Sequence, residues 1–125
     1  MPSITQPNNL GDLLKYEAPN LYSREQDTVA VTQVLSLGTV VGRETATAKL
    51  KAFDPAATDG TEAAVGVLGN DIDATLADRP DAILIARHAI VARGAVLWPS
   101  DITTPQQAVA ISQLAALGIL VRDSA

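Results

Sequence analysis

Asp27-Thr28-Val29-Ala30-Val31-Thr32-Gln33-Val34 is the stretch on which the fold turns. It is dense in β-branched residues, which suit a pleated, half-buried strand better than a helix. Working outward, the same texture continues. Leu37-Gly38-Thr39-Val40-Val41-Gly42 follows with glycine punctuation, and Ala46 to Phe53 alternates well enough for a second half-buried strand. Ala63-Ala64-Val65-Gly66-Val67-Leu68 reads as another strand, and Ala82 to Ala86 and Ala89 to Ala92 as two more, interrupted by Arg87 and His88. Ala95-Val96-Leu97-Trp98-Pro99 closes the β region. Between these lie two polar stretches expected to be exposed loops, Asp54 to Thr61 and Asp71 to Asp81; Gly60 can supply a positive φ in the first. Short strands at this spacing predict a mainly-β (α+β) domain, a small barrel or sandwich.

The chain ends with a helix signal. Thr104-Pro105-Gln106-Gln107 offers an N-cap at Thr104, proline at the first helical position and a capping-box Gln at 107. Ala108, Ile111, Leu114 and Ala115 make the expected apolar face, Gly118 a natural stop, and Ile119-Leu120-Val121 a possible last strand.

The beginning differs. Residues 1–26 hold Pro2, Pro7 and Pro19, three Asn, and apolar beads at Leu10, Leu13, Leu14, Tyr16, Leu21 and Tyr22 without sustained period. Proline removes backbone donors and pushes its predecessor toward extended conformations. The expectation is a flexible N-terminal arm over 1–26 preceding a β-rich domain over 27–125. A frayed terminus is the alternative, but a tail that only solvates has little use for those beads.

The whole chain has 125 residues, enough for one domain with a modest core. With no cysteine, neither disulfides nor thiolate metal sites are possible. Apolar residues are 47% of the chain but aromatics only 3%, so the core must be aliphatic; a thin core favours an oligomer. Net charge is −5, with nine scattered Lys and Arg, which argues against direct binding to nucleic acid. The N-terminus lacks the basic start and apolar stretch of a signal peptide. Apolar runs such as Ala82 to Ala86 are too short to cross a bilayer, so no membrane partner is expected.

Acidic residues are the one candidate for chemistry. Asp54, Asp59 and Glu62 share one loop, and Asp71, Asp73, Asp78 and Asp81 the other. Neither has calcium-loop spacing: from Asp54 the sixth position is Asp59 and the twelfth Val65, and from Asp71 the sixth is Leu76. His88, the single histidine, excludes a multi-histidine metal site, and no Gly-x-Ser-x-Gly turn or phosphate-cradling glycine loop occurs. No catalytic residue, metal or cofactor is expected. Trp98 reads either as a core residue or as an interface anchor beside Pro99.

The run Phe53-Asp54-Pro55-Ala56-Ala57-Thr58-Asp59-Gly60-Thr61-Glu62-Ala63-Ala64-Val65-Gly66-Val67-Leu68 and the later Ala95-Val96-Leu97-Trp98-Pro99 resemble lambda-type phage head decoration proteins. The segment Gln107 to Arg122 resembles larger members of the same family. The resemblance implies a mainly-β, tulip-like barrel with little helix, no enzyme activity, and a homotrimer at the three-fold positions of an expanded icosahedral head. It also implies assembly in the host cytoplasm, a place on the outer surface of the virion capsid, and an N-terminal segment that adds a strand to the major capsid protein. On that reading Leu10, Leu13, Leu14, Tyr16, Leu21 and Tyr22 are the capsid-binding residues. Ordering a 15-residue arm costs on the order of 15 to 30 kcal/mol, which strand hydrogen bonds and burial of such beads must offset. The alternative is a small carbohydrate-binding or hydrolytic module using the Asp54–Glu62 loop, or another virion adaptor.

Overall fold

In the computed structural model, which describes residues 10–123, the apolar runs become strands buried on both faces. β4 (Val40–Arg43), β6 (Gly66–Leu68) and β8 (Arg79–Ile85), with β2 (Arg24–Val29) and β5 (Leu50–Ala52), close a five-stranded barrel in the order β2-β5-β4-β6-β8. Because successive side chains alternate sides of a strand, adjacent apolar residues serve two different cores. Val41, Leu68 and Leu84 join Val29 and Leu50 in one cluster. Val40, Val67 and Ile85 join a second cluster built with the rest of the chain.

That second cluster is covered by α2 (Thr104–Ala116) and by a three-stranded sheet with β9 (Ala89–Ala92) at its centre. β10 (Ile119–Arg122) pairs parallel to β9, joined to it through α2. On the other side, β1 (Leu14–Glu17) pairs antiparallel to β9, with Leu14 opposite Val91 and Glu17 opposite Ala89. A small ladder of β3 (Val34–Leu35) with β7 (Ile72–Asp73) completes the β structure. The mainly-β barrel with one short C-terminal helix agrees with the sequence reading.

Several details differ from it. The run from Asp27 to Val34 is not one strand: it turns at Ala30–Gln33, where Thr32 has φ +81°. Distant groups impose the turn, since Val31 N–H donates to Asp78 and Thr32 N–H to the Ala74 carbonyl. Of Ala46 to Phe53 only Leu50–Ala52 is strand, because Ala48 (φ +62°) closes a turn onto the Glu44 carbonyl. The stretch Asp71 to Asp81 is not a simple exposed loop: Ile72 and Ala74 are buried and Arg79 already begins β8. The helix is capped one residue earlier than expected. Thr103 Oγ1 accepts from Gln106 N–H while Gln106 Oε1 accepts from Thr103 N–H, and Pro105 falls inside the first turn. The buried face is accordingly Ala110 and Leu114 with Ile111 partly covered, while Ala108 and Ala115 face solvent.

The largest correction concerns the N-terminal arm. Residues 10–26 belong to the folded domain. Leu10–Leu13 forms a single helical turn, α1, Leu13 is fully buried in the second core, and Leu10 and Leu14 pack against it. Ser23 is fully buried; its hydroxyl accepts from Ala18 N–H at 2.9 Å and donates to the His88 carbonyl at 2.8 Å. The reason is burial: the beads at 10, 13 and 14 find their apolar partners within the chain. The part of the expected arm before Leu10 lies outside the described residues.

Candidate functional site

Six residues were expected to form the docking surface, and the structure divides them. Leu13 is sealed in the core and Leu10 and Leu14 are half-buried. Tyr16, Leu21 and Tyr22 remain 53%, 59% and 54% exposed. They stand where β1 and the turn after it meet the β8–β9 connection. Tyr16 lies opposite Ile90, and the Tyr22 ring packs edge-on against His88 at 5.3 Å between centroids. Arg87 completes this corner: its guanidinium carbon sits 5.1 Å from the Tyr22 ring centroid, it donates to the Tyr22 carbonyl at 2.6 Å, and it pairs with Glu25. A cation over an aromatic face fixes the ring's orientation.

Two non-glycine residues here take left-handed backbone, Leu21 at φ +58° and His88 at φ +48°. Gly118, at φ +83°, must lack a side chain because a Cβ would approach His88 Cδ2 to 2.9 Å. Leu117, next to it, adds a fourth exposed apolar side chain that the sequence reading did not assign to the site. Its only sequence signal was its place beside the helix-stopping glycine. β1 is an edge strand of its sheet, so one side of its backbone is unpaired by any described strand.

The acidic loop of the alternative reading has a different character. Asp59 accepts from the Thr61 backbone and hydroxyl at 3.1 and 2.6 Å, Glu62 accepts from Gly60 N–H at 2.8 Å, and Asp54 from Ala56 N–H at 3.0 Å. The Thr61 hydroxyl and amide hold Asp59 below the usual carboxylate range, the reverse of what a general acid at neutral pH requires. These carboxylates shape the loop, which fits closely on the barrel: a Cβ at Gly42 would lie 2.6 Å from Thr61 Cα. Phe53, at the loop's start, meets Trp98 edge-on at 6.5 Å. Trp98 is thus near-core and partly exposed, packed against the second cluster. Among the described residues no group of three Asp, Glu or His gathers as metal ligands.

The segments that carried the resemblance therefore meet in space, through the Phe53–Trp98 ring contact and the Ala64 N–H donated to Gln113 Oε1 at 2.8 Å. The family model for the bacteriophage lambda head decoration protein D matches residues 3–119. The chain belongs to this family. A search of the curated proteins finds no match. The matched span includes the whole barrel, α2 and the first residue of β10. Membership of the head decoration family makes this a capsid-associated structural protein of the virion.

The decoration protein carries its charge mainly as paired groups, and this has a pH consequence. Hydrogen bonds from Arg24, Lys51, Lys49 and Arg79 hold Glu17, Glu44, Asp78 and Asp81 below their ordinary pKa values of 4.5 for Glu and 3.8 for Asp. A carboxylate whose folded pKa is depressed adds stability above its unfolded pKa and loses it as pH falls through the folded one. Melting temperature is therefore expected to be flat with respect to these groups above about pH 5 and to fall steadily below about pH 4. Thermal melts from pH 7 to 2.5 check this. A Glu17→Gln variant is expected to show a shallower acid limb.

Proposed function

We propose that the decoration protein binds as a homotrimer at the three-fold positions of the expanded icosahedral head, on its outer surface, and reinforces the shell against the pressure of packaged DNA. The observation that carries this reading is the family match over residues 3–119. The docking partner is the major capsid protein. The contact is made by the N-terminal segment ahead of Leu10 together with the exposed corner of Tyr16, Leu21 and Tyr22. The unpaired edge of β1 supports strand addition there, because an edge strand offers backbone donors and acceptors to an extended partner. Aromatic side chains at a rigid corner suit an anchoring role, with large contact area and little entropy lost on burial. Several such corners on one oligomer make the later engagements intramolecular.

The test is co-sedimentation with expanded, undecorated shells. The wild-type chain is expected to saturate them. A Tyr16→Ser, Tyr22→Ser double variant is expected to bind on the order of 1,000-fold more weakly, from about 2 kcal/mol per anchor, with little change in melting temperature because both rings are half exposed. Unchanged attachment of the double variant would remove the corner from the docking surface. Failure of the wild type to sediment with shells would remove the function itself.

A further inference from the structure

Asp59-Gly60 is the single Asp-Gly pair in the chain, and no Asn-Gly pair accompanies it. Such a pair carries an internal reaction of its own. The Gly60 nitrogen can form a bond to Asp59 Cγ while the C–OH bond of the neutral carboxyl group breaks, and the hydroxyl leaves as water with the proton of the Gly60 N–H. Water then opens the five-membered imide at either carbonyl. Opening at Cγ restores aspartate. Opening at the backbone carbonyl leaves isoaspartate, whose main chain runs through Cβ and Cγ and is one atom longer. Glycine favours the first step because it has no side chain to obstruct the approaching carboxyl group.

The fold restrains both partners of that step. Asp59 is exposed, so water reaches it. Its Oδ1 is nevertheless turned toward Thr61, accepting from the hydroxyl at 2.6 Å and from the amide at 3.1 Å. Both bonds favour the ionised carboxylate, which has no hydroxyl to lose as water. Gly60 N–H points at Glu62, with 2.8 Å from nitrogen to Oε1. Closing the ring takes the carboxyl group away from Thr61 and the nitrogen away from Glu62, so these bonds must break first. The backbone on either side is tied as well: Thr45 N–H donates to the Asp59 carbonyl at 2.8 Å and Asp54 N–H to the Thr61 carbonyl at 3.0 Å. Thr61 itself is only 3% exposed, so its hydroxyl is fixed within the loop.

We propose that Asp59-Gly60 is the chain's site of spontaneous isomerisation and that Thr61 suppresses the reaction in the folded protein. A structural protein of the virion is not replaced by new synthesis there, so slow covalent damage accumulates in it. Damage at this place reaches the barrel. An added main-chain atom at residue 59 displaces one or other of the Thr45 and Asp54 hydrogen bonds, and Thr61 lies so close to β4 that a Cβ at Gly42 would come within 2.6 Å of its Cα. Phe53, with Trp98 against it, stands at the start of the same loop.

The test is to age the full chain from pH 3 to 7, folded or unfolded in guanidinium chloride, and to locate isoaspartate by electron-transfer mass spectrometry. In the unfolded chain it is expected at residue 59 ahead of every other aspartate; earlier appearance elsewhere would overturn the site. The folded chain is expected to form it about tenfold or more slowly, and equal rates would overturn the suppression. Thr61→Val keeps the shape and removes the hydroxyl. It is expected to speed isomerisation of the folded chain several-fold and to move the midpoint of its rate–pH profile upward, while Thr61→Ser keeps the wild-type rate and midpoint. Val and Ser variants that age alike would deprive the hydroxyl of its role. Should the Val chain not fold, the wild type decides alone: its folded profile is expected to have its midpoint at lower pH than its unfolded one, and coincident midpoints would overturn the proposal.

Discussion

Leu114→Asp is expected to leave no folded protein at 37 °C. Leu114 is fully buried on the inner face of α2, in the cluster that also contains Ala110, Ile119, Val91 and Leu13. Truncating such a side chain alone costs about 2 to 5 kcal/mol. An unpaired carboxylate left in its place adds about 3 to 5 more, and no cation among the cluster's residues can meet it. The sum approaches the roughly 5 to 15 kcal/mol that holds a typical domain together. Circular dichroism of the purified variant checks this, with Leu114→Met, expected within about 1.5 kcal/mol of wild type, as the control that the site tolerates shape change but not charge. A cooperative melt for the Asp variant near the wild-type temperature would show that α2 is not part of the core.

The second large effect is at Leu13, and it separates a folded N-terminal segment from a detachable one. Leu13→Ala is expected to cost about 2 to 5 kcal/mol, a fall of about 10 °C or more in melting temperature for a domain of this size. Deleting residues 2–22 is expected to do worse, since it removes Leu13, α1 and β1 together and uncovers β9. Scanning calorimetry of both variants decides the matter. If residues 10–17 were a free arm, neither change would move the transition.

The sequence made the barrel legible because its strands are buried on two sides. Val40-Val41, Gly66-Val67-Leu68 and Ala82 to Ala86 are apolar without a break, a pattern that only a doubly covered strand needs. The helix was legible for its cap and its terminal Gly118. Its register slipped by one because Thr103-Thr104 and Gln106-Gln107 let the same capping box be drawn twice. The N-terminal segment was misread for a different reason. Leu10, Leu13 and Leu14 form too short a run to show a period, and the strand that completes them, β9, lies some 75 residues away. The turn at Ala30–Gln33 likewise depends on Asp78 and Ala74, which no local window contains. Of the candidate site, the aromatic beads were visible as an anomaly in the sequence. Their division into core and surface, and the addition of Leu117, required the register of β1 on β9 and the contact of Gly118 with His88.

The central position of β9 also brings the start of β1 and the end of β10 to the same place. β1 runs against β9 and β10 runs with it, so Leu14, where β1 starts, and Arg122, where β10 stops, both lie beside Val91–Ala92. Two strand spacings, about 10 Å, separate them. A short linker can therefore join the ends, and a permuted chain cut at an exposed loop such as Ala56–Asp59 would keep every strand pairing intact. A cargo fused after β10 would, by the same geometry, emerge beside the start of β1.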